Sequence, residues 1–240
     1  HPGFGGRLKR RFPRWPRWDT VPWNFTFTTR MRSTGNSYTG FWRRTTWSSP
    51  PSVQALPTRG TESVSAAGIL RNGLRLSGRL TGHMVTASPF HGIVIIGLIA
   101  GRFSDCGQDG EAFKRNLTES LKLCAKEAEV HGVTLGFEVM NRFESDYGTT
   151  IREALELLRA VRSDRLKLHL DTVHLNIEED DIGKAIESAG AAIGHVHVAD
   201  NNRWYPGHAH YNFAETLAAL SRVGYNGALA LEITNDPDTE

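Results

Sequence analysis

Cysteine is scarce in this chain of 240 residues, which holds only Cys106 and Cys124. Two cysteines build neither a disulfide framework nor a zinc-knuckle spacing. They read as reduced thiols of a cytoplasmic protein. Long apolar runs are missing too. The longest, Ile93 to Ala100, is broken by Gly97 and spans about eight residues, against the ~20 that a membrane span needs. No apolar segment follows the Arg-rich N-terminus, so no signal peptide is visible. The first residue is His1 rather than Met, as in a fragment.

Acidic residues are nearly absent from the first part of the chain. Residues 1–90 hold Asp19 and Glu62 against fourteen Lys and Arg, a net +12. Residues 91–240 hold fourteen basic and 24 acidic residues, a net −10. The overall +2 describes neither part. Five of the six Trp and eight of the ten Pro also fall before residue 91. A basic arm suits phosphates, but no nucleic-acid motif accompanies the charge, and nucleic acid is not the expected partner.

Residues 1–90 also lack periodicity. Prolines interrupt Arg10 to Trp18, and Ser48 to Pro57 reads as a Ser/Pro loop. Thr26 to Thr29 offers a short strand, and no three-turn amphipathic helix is expected before residue 80. So long an aperiodic stretch is foreign to a compact domain. The composition reads as a frame-shifted or misassembled stretch of the gene, with 1–90 as one segment and 91–240 as the other.

From Gly92 the pattern changes. Ile93 to Ile99 is a continuous, β-branched apolar run, the mark of a strand buried on both faces. Further strands are expected at Val133–Val139, Leu166–Asp171, Ile193–Val198 and Ala228–Ile233. Between them lie helical patterns at Glu111–Val130, Thr149–Val161, Ile182–Ala189 and Phe213–Val223. In the second of these, Ile151, Ala154, Leu155, Leu158 and Val161 form the expected apolar face. Strict β/α alternation means a parallel sheet with helical crossovers. A doubly wound sheet would carry a Gly-rich phosphate turn after its first strand, and Gly97-Leu-Ile-Ala-Gly101 is not that fingerprint. A (β/α)8 barrel places its functional residues at the C-terminal ends of several strands.

The strand ends show that pattern. Glu138, Asp171, His197 and Glu232 each close one strand. Two Glu, one Asp and one His make an oxygen-rich donor set that suits Mn²⁺, Mg²⁺ or Co²⁺ better than a thiolate-seeking metal. Glu144, His174 and Arg203 follow on the adjoining loops, where a substrate would lie. His195, two residues before His197, faces the same side and reads as a packed core histidine one layer deeper.

Three segments carry a family resemblance. Gly136-Phe-Glu-Val-Met-Asn-Arg-Phe-Glu144, Leu170-Asp-Thr-Val-His-Leu-Asn-Ile-Glu-Glu179 and Gly194-His-Val-His-Val-Ala-Asp-Asn-Asn-Arg-Trp-Tyr-Pro-Gly207 resemble motifs of the xylose-isomerase-like sugar isomerases and epimerases. The likeness covers about residues 91–235, in motif order. It is nearest to ketose 3-epimerases and 5-keto-gluconate epimerases. It implies a (β/α)8 TIM barrel, here with incomplete or aberrant first three βα units. It implies one divalent metal, commonly Mn²⁺, on Glu138, Asp171, His197 and Glu232. Glu144, His174 and Arg203 would hold the substrate, a small ketose or keto-sugar acid. The reaction would invert a carbon beside the ketone through a cis-enediolate, with Glu138 and Glu232 as the two acid/bases. Relatives of this kind are often homo-oligomers, though no interface can be read from the sequence.

Two other classes share the barrel: endonuclease-IV-like metal-dependent nucleases and catalytically inactive sugar-binding relatives. The −10 charge of residues 91–240 makes a poor DNA surface. Two residues depart from the family's loop after Pro206: Ala209 stands for a Gly and Asn212 for an Asp. A required positive φ would strain Ala209.

Overall fold

The computed structural model describes residues 25–27, 52–54, 73–102, 104 and 109–233. Seven strands form one sheet: β1 (Phe25–Phe27), β2 (Ser52–Gln54), β3 (Ile93–Ile96), β4 (Thr134–Glu138), β5 (Leu166–Asp171), β6 (Ile193–Val198) and β7 (Leu229–Leu231). Their order is β1-β7-β6-β5-β4-β3-β2, and every neighbouring pair is parallel. The first strand thus lies beside the last, with Phe25 opposite Leu229, as in a sheet that curls toward closure. Among the described residues the sheet has one strand fewer than a complete eight-stranded barrel.

Helices cross between the strands: α1 (Gly73–Ala87), α2 (Gly110–His131), α3 (Ile151–Val161), α4 (Thr172–Glu178), α5 (Ile182–Ala189) and α6 (Phe213–Arg222). Each of the later helices starts on a side-chain cap. The Asp109, Thr150, Asp181 and Asn212 side chains accept from the backbone N–H of Ala112, Glu153, Lys184 and Glu215. Asn212 therefore caps α6 through its side-chain oxygen, as an Asp could. Phe113, Leu117, Leu121, Cys124 and Ala128 of α2 are buried at the expected helical spacing. On α3 the buried face is Ile151, Ala154, Leu157 and Val161. Leu155 and Leu158, expected on this face, are only partly buried.

The strands from β3 onward fall where the apolar runs place them, within two or three residues at the ends. The earlier region needs correction. Ser48 to Pro57 contains β2, and α1, a helix of 15 residues, begins at Gly73, before residue 80. The Thr26–Thr29 strand is β1, shifted by one residue at its start. The most basic stretch, Arg10 to Trp18, lies outside the described residues, as does Cys106. Cys124 is buried, and burial pushes its thiol up to about 11, which makes it unreactive. No helix among the described residues is long and apolar enough to cross a membrane.

Gly148 shows how closely the loop after β4 packs. Its φ is +71°, and an added Cβ would stand 2.8 Å from the Phe137 ring. Gly148→Ala combines a left-handed conformation with a steric clash, a cost of about 2 kcal/mol. The thermal midpoint is expected to fall by about 4–8 °C, measured by circular dichroism.

Candidate active site

The C-terminal ends of β4 to β7 place the four sequence-derived ligands together. Glu138 ends β4, Asp171 ends β5, His197 lies one residue from the end of β6, and Glu232 follows β7. One donor atom from each lies within 4.8 Å of the others. Glu138, Asp171 and His197 are buried, and the Glu232 side chain is 12% exposed. Parallel register produces this convergence: Asp171 stands opposite His197, and His197 opposite Ala230. The Thr172 hydroxyl ties the strand ends, donating to Ala199 O at 2.6 Å and accepting from Ala199 N at 2.9 Å.

Gly97, just past β3, supplies the space. A Cβ there would lie 2.3 Å from Glu138 Oε2. Only a residue without a side chain lets Glu138 stand as it does.

Arg203 spans the carboxylates. Its Nη1 donates to Asp171 Oδ2 at 2.6 Å and to Glu232 Oε2 at 3.0 Å. Its Nη2 lies 3.2 Å from His174 Nε2. His174 Nδ1 in turn lies 2.7 Å from Asn141 Nδ2, and that amide donates to Glu144 Oε1 at 3.3 Å. Glu144 and Arg203 lie on loops as expected, whereas His174 lies in the first turn of α4; the three form one polar chain with the ligand cluster. Arg102 braces its outer end by donating to the Glu144 carbonyl at 3.1 Å.

Burial and charge act against each other here. Burial raises the Asp171 carboxyl, and the Arg203 charge only partly offsets this. Burial would also raise Glu232, but the adjacent His197 imidazole, then Asp171 and Arg203, hold it well below the ordinary carboxylate range. For His174, burial lowers the pKa but Glu138 and Asp171 outweigh it and raise it. For His197, Glu232 outweighs burial in the same direction.

A second imidazole layer lies beneath. His169 and His195 sit side by side two residues before Asp171 and His197, and all three rings are buried. The His169 and His195 rings stack with centroids 5.3 Å apart, and the His197 ring stands edge-on to His169 at 4.1 Å. Burial, then neighbouring imidazoles, push His169 well below its ordinary value, and burial with His197 lowers His195 to about 3. Burial thus favours the neutral form of both rings, and His195 packs as a buried ring beneath His197.

The donor set fits a divalent cation. Three carboxylates cluster here, and the Arg203 guanidinium bonds two of them, Asp171 and Glu232. Neither ring nitrogen of His197 has a hydrogen-bond partner, although Nδ1 is 3.3 Å from Glu232 Oε2. A buried, unpartnered imidazole against carboxylates is what a metal ligand presents before the metal. His169, His195 and His197 could also gather an ion, but that group shares His197 and offers no carboxylate to balance charge.

Four contributors escaped the sequence reading of site residues: Gly97, Asn141, His169 and Asp200. His169 carried a usable signal, since it precedes Asp171 by the same two residues that separate His195 from His197. Asp200 is buried, and four backbone N–H donors hold its carboxyl below the ordinary Asp value against the opposing effect of burial. Ala209 is one of these donors, and no positive φ is found there; the positive φ falls at Gly207 and Arg203 instead. The expected strain at Ala209 is thus absent.

Fold and site together define a parallel β/α barrel with a carboxylate–histidine cluster at its C-terminal face that could hold a metal ion. The sequence profile of the xylose isomerase-like TIM barrel family matches residues 68–240, and the chain belongs to that family. A D-psicose 3-epimerase of Ruminiclostridium cellulolyticum is 42% identical over 114 residues, 48% of this chain and 39% of that protein. An L-ribulose 3-epimerase of Mesorhizobium japonicum is 42% identical over 115 residues, covering 48% and 39%. The chain thus spans about two fifths of the length of these curated relatives. Among solved structures, a D-allulose 3-epimerase from Methylomonas sp. superposes with a TM-score of 0.65 at 26% identity, over 73% of this chain and 62% of that one.

Proposed function

We propose that this chain carries the chemical half of a metal-dependent ketose 3-epimerase. The observation that supports this best is the convergence of two glutamates, an aspartate and a histidine at neighbouring strand ends. β4 and β7 stand three places apart in the sheet, so Glu138 and Glu232 come to the cluster from strands on either side of β5 and β6. Inverting a carbon needs a proton removed on one face and returned on the other. Glu138 and Glu232 are the pair for this exchange. Asp171 and His197 complete the donor set for one divalent cation, with Mn²⁺ the first choice and Mg²⁺ or Co²⁺ the alternatives. When bound, that cation supplies Lewis-acid stabilisation of the negative charge that develops on the substrate oxygens.

Arg203, His174 and Glu144 orient the carbonyl end of a ketose or keto-sugar acid. Arg203 adds positive charge where the oxygens become negative. His174, held by Asn141 at Nδ1, brings its Nε2 within 3.2 Å of the Arg203 guanidinium. All of these residues lie between 138 and 232, and residues 91–240 are the proposed catalytic segment.

Stripping the full chain with a chelator tests the reading. Conversion of D-psicose or L-ribulose into its C3 epimer, followed by chromatography, is expected to stop and to return with added Mn²⁺. Sugar binding without conversion at any metal loading would place the chain among inactive barrel relatives instead.

A further inference from the structure

The loop between β6 and α6 carries Arg203 and contains no helix or strand of its own. Its backbone N–H groups therefore need partners from elsewhere. One buried side chain supplies them. Asp200 Oδ1 accepts from Asn201 N at 2.9 Å and Tyr211 N at 3.1 Å. Asp200 Oδ2 accepts from Gly207 N and Ala209 N, each at 2.9 Å. The Asp200 backbone closes the near side of the loop, donating to Trp204 O and accepting from Arg203 N, both at 2.8 Å. Both ends of the segment are thus drawn onto one carboxylate.

Arg203 sits inside this ring with φ +63°, a left-handed conformation that a long side chain rarely adopts. Such a conformation persists only where its surroundings over-determine it. Charge-assisted bonds to backbone N–H are about twice as strong as neutral ones, so Asp200 has the means. The consequence is directional. From this backbone the guanidinium reaches Asp171, Glu232 and His174 together.

We propose that Asp200 is a positioning residue for the epimerase site. Its carboxylate gathers the 201–211 loop and holds Arg203 in the one backbone conformation that aims the guanidinium at the carboxylate cluster. This inference rests on the reading of Arg203 as a substrate-orienting group. Asp200 itself does not touch the reacting atoms.

Asp200→Asn is the informative substitution. It keeps the shape, but its amide NH₂ would face backbone N–H groups where an oxygen now accepts. The first readout needs neither metal nor substrate. Hydrogen exchange by mass spectrometry is expected to speed up by about tenfold or more in peptides covering 201–211 and to stay unchanged over β5. Unchanged exchange at 201–211 overturns the proposal, whether or not the chain turns over any ketose. The second readout is a double-mutant cycle. Asp200→Asn is expected to raise KM for D-psicose by about tenfold with a smaller change in kcat, and to add nothing in the Arg203→Ala background. A loss of the same size in that background would show that Asp200 acts independently of Arg203, and would also overturn the proposal. Failure of the wild-type chain to convert any ketose would instead count against the epimerase reading alone.

Discussion

Glu138→Gln is expected to lower turnover by about 10²–10⁴-fold while leaving the chain folded. Glutamine matches glutamate in volume, so the space opened by Gly97 stays filled and the neighbouring contacts with His169 and His174 keep their shape. What changes is chemistry. An amide takes no proton from carbon at neutral pH, and it removes one of the three negative charges that draw a cation to the cluster. Turnover and bound Mn²⁺ should therefore be measured on the same preparation. Turnover that stays depressed when Mn²⁺ saturates the variant identifies the missing proton acceptor. Turnover within about threefold of wild type at saturation would remove Glu138 from the acid/base pair.

Gly97→Ala is expected to cost about 100-fold in kcat/KM with little loss of stability. The new Cβ would lie 2.3 Å from Glu138 Oε2 and 3.4 Å from its Cδ, so one of the two must move. The nearest atoms belong to the end of a flexible side chain, and the carboxylate yields before the backbone does. The methyl group therefore displaces the proposed base by about an ångström, a misplacement large enough to spoil proton transfer. Thermal denaturation and steady-state kinetics on the same sample separate the outcomes. A stable, impaired variant supports the arrangement, whereas full activity would mean that Glu138 need not stand where it does.

The later strands were legible because each is a short apolar run buried on both faces, bounded by helices with a clear 3.6-residue period. β1 and β2 were harder to read, since a three-residue strand has no period to detect. α1 carries Gly73, Gly78 and Gly82, which argue against a helix. α4 is seven residues long and follows its strand without a loop, so the third apolar segment hid it.

The site divided along a similar line. Charged groups at strand ends are visible in a sequence because barrel geometry brings them to one face. Gly97 acts by leaving space and Asp200 by collecting backbone N–H groups, and neither property shows in a residue's chemistry. Every proposed catalytic and ligand group lies on the acidic side of the charge division at residue 91. For the fold that division was too sharp. The family match begins at residue 68, and two short strands from the basic side enter the sheet. We propose that the aberrant composition belongs mainly to the residues before this match.

Proton exchange at carbon tests the central claim most directly. The full chain, loaded with Mn²⁺ and incubated with D-psicose in D₂O, is expected to place deuterium at C3 of both the recovered sugar and its epimer, with exchange abolished by chelation. Mn²⁺ bound at the four-residue cluster without deuterium at C3 of any ketose tested would contradict the account.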